Sequence, residues 1–268
     1  MKAGRVLLFL LAAAGAAAIW LWHSGTPAGH LARDLLASKF PALERRLRDL
    51  PVRPLEERLV EKGFTLGQPV LIRIFKEENE LELWMERNGR YQLAMNYPVC
   101  AWSGGLGPKL REGDGQAPEG YYFASAAQLK PDSSYHRAIN VGFPNAYDRQ
   151  LERTGSFLMI HGNCVSIGCY AMTDAGIDDI YQAVESAMQK GQRAIAIHLF
   201  PFRLTVDGMA RHGASEWQGF WSNLAEGDRL FLATGRPPAT SACGGRYYFA
   251  ADPADLPQSP GCQKIAAW

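Results

Sequence analysis

A mostly β, α+β fold with flanking helices is predicted by three features of the sequence. From Gln68 onward, short runs rich in Val, Ile, Leu and aromatic residues recur between Gly, Pro and Asn clusters, the texture of strands and turns. One stretch, Thr173 to Gly191, instead carries Ile177, Ile180, Tyr181, Val184 and Met188 on a single helical face. The 268 residues are 47% hydrophobic and 21% charged, which suits one ordinary core and excludes a wholly disordered chain.

Taken in order, residues 1–23 read as a targeting segment. Lys2 and Arg5 precede an uninterrupted apolar and glycine run from Val6 to Trp22. At about 1.5 Å per residue this run spans roughly 25 Å, slightly short of a ~30 Å hydrocarbon core. It fits an uncleaved anchor, with Trp20 and Trp22 at the headgroup level, and Ala16-Ala17-Ala18 fits equally a signal-peptide cleavage site. In both cases everything after residue 23 is exported, and residues 6–22 anchor the protein in the inner membrane if they are kept.

Residues 24–67 space Leu31, Leu35, Phe40, Leu43, Leu47, Leu55 and Leu59 helically among Arg and Glu, interrupted by Pro41, Pro51 and Pro54. Short amphipathic helices forming a stalk are expected. The main domain is placed at 68–205. Its expected strands are Val70 to Phe75, Leu81 to Met85, Tyr91 to Val99, Tyr121 to Ala124, Ala138 to Val141, Phe157 to His161 and Ala194 to Phe202. Asn88-Gly89 marks a hairpin, Thr173 caps the long helix and Gly191 stops it. Residues 206–268 are expected to form a C-terminal extension packed on this domain, with a helix near Glu216 to Ala225 and a strand near Tyr247 to Phe249.

The 28 Lys and Arg nearly cancel the 27 Asp and Glu, so the basic footprint of a nucleic-acid binder is missing. Five cysteines, at 100, 164, 169, 243 and 262, are odd in number, so at least one is unpaired. The segment Ile160-His161-Gly162-Asn163-Cys164-Val165-Ser166-Ile167-Gly168-Cys169-Tyr170 ends a strand on a histidine and closes a loop on a Gly-Cys pair. A thiol becomes a competent nucleophile when an imidazole takes its proton, and a following helix start would favour the thiolate further. Cys169 is therefore the candidate nucleophile and His161 its base, with Gly162, Ser166 and Gly168 in the active-site loop. Amides near Gly168 and Cys169 are the expected oxyanion hole. Two plainer readings compete. His161, Cys164 and Cys169 are also zinc-ligand types, although a fourth ligand is missing nearby, and exported cysteines pair readily as disulfides.

These motifs resemble the L,D-transpeptidase (YkuD-type) catalytic domain, whose signature is a His-Gly at a strand end followed by Ser-x-Gly-Cys. Here that is His161-Gly162 and Ser166-Ile167-Gly168-Cys169. The likeness is greatest to the YafK-like branch and extends over Tyr97 to Cys100, Gly105 to Lys109, Gln116 to Gly120, Asn140 to Asn145 with Asp148, and Cys169 to Asp174. The resemblance implies a periplasmic murein enzyme in which Cys169 attacks a stem peptide at meso-diaminopimelate and forms a thioester. It implies no metal and no organic cofactor. An amine acceptor, from another stem or a murein-linked lipoprotein, gives transfer. Water gives an L,D-carboxypeptidase or an amidase that releases the lipoprotein. A catalytically inactive wall-binding module is the distant alternative. Many family members carry a second histidine where this chain has Ile167, and Arg or Asn where it has Tyr170 and Ala171, which bears on donor recognition.

Lys109, Arg111 and Arg137 are candidate partners for the carboxylates of a stem peptide, against the alternative of solvated charges or loop braces. Tyr135, Asn140 and Tyr170 are candidates to line the cleft. The glycine-rich run Gly104 to Lys109 lacks the Gly-Lys-Ser/Thr ending of a phosphate loop. His198 falls in an apolar strand and reads as a structural histidine. Cys243 and Cys262 are a candidate disulfide, and Cys100 has no evident partner.

Overall fold

A central sheet explains why several strands read as continuous apolar runs rather than alternating ones. The computed structural model describes residues 53–266, and from Pro54 onward the chain forms one compact unit. The expected targeting segment and most of the stalk lie outside the described residues. Among the described residues no helix is long and apolar enough to cross a membrane.

The unit begins with α1 (Leu55–Glu61), then β1 (Val70–Phe75), β2 (Glu80–Arg87), β3 (Arg90–Trp102) and β4 (Gly120–Ser125). There follow β5 (Leu129–Ser133), β6 (His136–Asn140), α2 (Ala146–Gln150), β7 (Met159–His161) and β8 (Tyr170–Met172). The chain continues through α3 (Asp174–Gln189), β9 (Ala194–Phe200), α4 (Val206–Arg211) and α5 (Gln218–Thr234) to β10 (Ala239–Cys243), β11 (Arg246–Ala250) and β12 (Gln263–Ala266). Nine strands form one sheet in the order β4-β9-β1-β2-β3-β8-β7-β6-β5, and β11-β10-β12 form a second, small one. The β1–β9 and β7–β8 pairs are parallel, the others antiparallel.

Residues of β1 alternate between two buried layers. Val70, Ile72 and Ile74 join the core that α3 covers with Ile177, Ile180 and Val184. Leu71 and Phe75 face the other way, into clusters supplied by Phe231, Trp221 and Leu224 of α5 and by Tyr247 of β11. Both faces are covered, so the strand has no solvated side to mark with polar residues. Asn88 and Gly89 make the predicted two-residue hairpin between β2 and β3, with φ of +56° and +75°. Thr173 caps α3 by accepting from the Gly176 amide at 3.0 Å.

On the α5 side lies His198, fully buried beside Tyr121 and with Arg73 as its register partner on β1. Among the described residues neither ring nitrogen has a hydrogen-bond partner. Burial, reinforced by the Arg73 charge, pushes its pKa well below the usual histidine value. The unfolded chain would bind that proton near pH 6.5, so the stability tied to a neutral His198 is present above pH 6.5 and lost as pH falls below it. A His198→Leu variant is expected to show a flatter pH dependence of unfolding free energy. The gap between the two proteins should open by about 2 kcal/mol between pH 7 and pH 5. Parallel curves in urea titrations at these pH values would contradict it.

Candidate active site

Two parallel strands, β7 and β8, bracket the signature residues, with His161 ending β7, Ile160 opposite Tyr170 and His161 opposite Ala171. The connection between them is only residues 162–169, shorter than the dozen or more that parallel strands usually need. It turns by placing Asn163 (φ +64°), Cys164 (φ +50°) and Gly168 (φ +118°) in left-handed conformations. Ser166 ties its end. The Ser166 hydroxyl donates to the Cys169 carbonyl at 2.7 Å and accepts from the Cys169 amide at 3.0 Å and the Gly168 amide at 3.3 Å. The two amides expected to form an oxyanion hole therefore already point at Ser166 Oγ, and would serve an oxyanion only by sharing or exchanging that acceptor.

Cys169 is the free cysteine and is half-buried. It precedes a strand, β8, and not a helix, because α3 begins only at Asp174. This corrects the expectation that helix-end amides favour its thiolate. Its thiol donates to the Phe157 carbonyl at 3.6 Å. Burial raises the thiol pKa, partly offset by a backbone hydrogen bond at Met159 and by the positive charge of Lys109.

His161 is buried at the end of β7, and its Nδ1 lies 2.6 Å from the Gly162 carbonyl. A carbonyl can only accept, so Nδ1 carries the proton and Nε2 is left with its lone pair. Burial lowers the imidazole pKa, partly offset by that same hydrogen bond. The resting pair is thus a neutral thiol and a neutral imidazole. The two side chains are not hydrogen-bonded to each other, but the thiol rests against the Phe157–Met159 backbone that leads directly into His161. Catalytic hydrogen bonds commonly tighten only when substrate is bound.

The other predicted residues divide. Tyr135 lies over the imidazole, ring centroids 4.9 Å apart, and is exposed. Gly162 has no room for a side chain, since a Cβ there would sit 2.6 Å from Asp174 Oδ1, and its amide donates to the Tyr135 carbonyl at 3.0 Å. Asn140 accepts from the Gly142 amide at 2.9 Å and braces its own turn. Arg137 is drawn to α3, 3.3 Å from Asp178 and over the Tyr181 ring. Arg111 has an exposed side chain, whereas Lys109 is buried and bonded to Asp114 at 2.5 Å. Tyr170 is fully buried, its hydroxyl donating to the Pro118 carbonyl at 2.7 Å, which corrects its placement as a cleft residue. Burial on β8 is the physical reason.

Cys100 does have a partner. It is disulfide-bonded to Cys164, and Cys243 to Cys262. Cys164 is thereby unavailable as the zinc ligand that the sequence left open. Three contributors escaped the sequence reading. Asp174 holds the Asn163 amide at 2.7 Å, a role its place in the first turn of a Thr-capped helix could have suggested. Asp114 caps a loop in an Asp-Gly turn, a recognisable signal. Phe157, at φ +55° and with an exposed ring, has no sequence signal at all.

The L,D-transpeptidase catalytic domain family (YkuD) matches residues 69–199. The chain is 51% identical over 182 residues to the Escherichia coli (strain K12) protein named "Putative L,D-transpeptidase YafK", covering 68% of this chain and 74% of that one. The Escherichia coli O157:H7 protein of the same name matches equally. Among solved structures, the helical cell shape determining protein Pgp2 of Campylobacter jejuni aligns with a TM-score of 0.42 at 17% identity, over 67% of this chain and 64% of that one. Bd1075 of Bdellovibrio bacteriovorus aligns at 0.35 and 18% identity, over 62% and 58%. By the family match and the identity to the Escherichia coli proteins, the chain belongs to the L,D-transpeptidase (YkuD) family.

Proposed function

We propose that this protein is a peptidoglycan-modifying cysteine enzyme that attacks a stem peptide at meso-diaminopimelate through Cys169 and transfers the acyl group to an amine. One observation carries the reading: Cys169 is the free thiol among five cysteines, and the strand paired with β8 ends on an imidazole whose Nδ1 is bound and whose Nε2 is open.

The chemistry follows from the neutral pair. Cys169 gives its proton to His161 Nε2 as the sulfur adds to the carbonyl carbon, so charge develops only in the transition state. Collapse of the tetrahedral intermediate expels the amine of the terminal residue, which takes the proton from the imidazolium. The thioester left on Cys169 is then attacked by the acceptor amine, whose proton passes to His161, and the thiolate leaves and is reprotonated. To begin, the thiol turns from the Phe157 carbonyl towards the imidazole. Gly162 acts through its carbonyl, which fixes the tautomer. The two disulfides support an exported, periplasmic setting, since such bonds persist in oxidising compartments. No cofactor enters these steps.

Tetrapeptide muropeptides and lipoprotein-linked muropeptides, incubated with the protein and read by mass spectrometry, test the proposal. Cross-linked dimers are the expected product. Tripeptide or freed lipoprotein peptide without dimers would assign hydrolysis by the same two residues, and bound but unchanged substrate would reduce the protein to a wall-binding module.

A further inference from the structure

The segment between β3 and β4 runs directly beside the nucleophile. Gln116 O and a Gly115 backbone carbon are among the atoms nearest to a side chain built on Gly168, at 3.7 and 4.0 Å. In the same segment Lys109 is only 3% exposed. Its ammonium donates to the Arg111 carbonyl at 2.9 Å and to Asp114 Oδ1 at 2.5 Å. Its stem passes so close to Gly155 that a Cβ there would lie 2.5 Å from Lys109 Cε, and two residues further on is the Phe157 carbonyl that receives the Cys169 thiol. Asp114 also accepts from the amides of Leu110 and Arg111 at 2.9 Å and of Gln116 at 3.0 Å. Burial works to raise its carboxyl, but these donors and Lys109 prevail and hold it at about 2, so it stays ionised.

We propose that Lys109 is a positioning residue for the nucleophile: a buried ammonium, oriented by Asp114, whose charge favours the Cys169 thiolate and does not receive a substrate carboxylate. Two of its three N–H donors are spent inside the loop, and the side chain is nearly closed to solvent, so a stem peptide has little access to it. The Lys109 charge works to lower the pKa of the Cys169 thiol against the effect of burial. The segment between β3 and β4 carries the ionisable groups Lys109, Arg111, Glu112, Asp114 and Glu119, and β7 carries His161. Arg153, close in sequence to Gly155, is held by Asp148 at 3.1 Å. The inference rests on Cys169 being the reactive thiol, but not on the identity of its substrate.

Alkylation by iodoacetamide separates the two questions, because it needs no peptidoglycan. The thiolate displaces iodide, one S–C bond forms as the C–I bond breaks, and the thiol proton goes to solvent. The other four cysteines are in disulfides, so mass spectrometry of the intact full chain reports Cys169 alone. The rate is measured against pH. Lys109→Met is expected to move the ionisation midpoint upward and slow alkylation below it by roughly tenfold, equivalent to one pH unit. Lys109→Arg is expected to keep the wild-type midpoint, and Asp114→Asn not to raise it. A merely structural brace predicts that Asp114→Asn, which loosens the same loop, raises the midpoint as Lys109→Met does. That result, or an unmoved midpoint in Lys109→Met, would overturn the proposal. Asp114→Asn keeps the test decisive if Lys109→Met does not fold.

Discussion

Replacing Cys169 with alanine is expected to abolish product formation from muropeptides, by at least about a thousandfold, and to leave the melting temperature nearly unchanged. The thiol's contacts are a long one with the Phe157 carbonyl and a backbone hydrogen bond at Met159, and it belongs to no disulfide, so its removal costs little packing. His161→Ala should be nearly as damaging, and the double variant should lose no more than the worse single one, because nucleophile and base act as a unit. Additive losses would mean that the two residues serve separate steps. The pH dependence carries further information. With a neutral resting pair, kcat/KM in the wild type should fall only on the acid side, as His161 takes up its proton below its ordinary value of about 6.5. A preformed thiolate–imidazolium pair would instead give a bell whose alkaline limb reports the imidazolium. Turnover retained by Cys169→Ala would remove the mechanism altogether.

Much of the frame is legible in the sequence where an element is long or sharply punctuated. β1 runs from Val70 to Phe75 as expected, between Pro69 and Lys76, and the Asn88-Gly89 turn is where its dipeptide puts it. Short elements are not legible in the same way. Tyr170-Ala171-Met172 is a strand only because Val99, Ala101, Trp102, Ile160 and His161 flank it, and three residues carry no period. α5 continues to Thr234, past the Glu-Gly-Asp sequence that suggests a stop. Gly227 is tolerated there because a side chain would strike Phe249 and Tyr121, each 2.6 Å from its would-be Cβ. Asp228 is tolerated because Arg73 pairs with it at 2.7 Å. At the candidate site, the motif positions were readable and their surroundings were not. The His-Gly and Ser-x-Gly-Cys motifs mark the proposed nucleophile and its base, yet whether Lys109 faces a substrate or the Asp114 carboxylate depends on a fold around Asp114 that no local pattern specifies.

The Cys100–Cys164 disulfide is expected to matter for both stability and turnover, and a comparison with the second disulfide separates the two effects. Register along β3 shifts between Val99 and Ala101, opposite Met172 and Ala171, so Cys100 occupies a bulge. A bulge re-aims its side chain, here towards Cys164 in the loop that ends at the nucleophile. That loop holds two successive non-glycine residues in left-handed geometry, which costs of order 1–3 kcal/mol each, and such geometry persists only where surroundings enforce it. Besides the disulfide, two hydrogen bonds restrain this turn: Asn163 N to Asp174 at 2.7 Å and Cys164 N to the Met172 carbonyl at 3.3 Å. Changing both Cys100 and Cys164 to serine leaves no stray thiol to exchange with Cys169. For a separation of 64 residues the chain-entropy account gives a loss of about 4 kcal/mol, or a melting temperature lower by roughly 10 °C. Turnover measured well below that transition should still fall by about tenfold or more, because a freed loop misplaces the sulfur. Changing Cys243 and Cys262 to serine opens a separation of only 19 residues between β10 and the segment before β12. It should cost about 3 kcal/mol and leave turnover intact. Wild-type turnover in the Cys100/Cys164 double variant would mean that Ser166 and the backbone hydrogen bonds hold the nucleophile without the covalent tie.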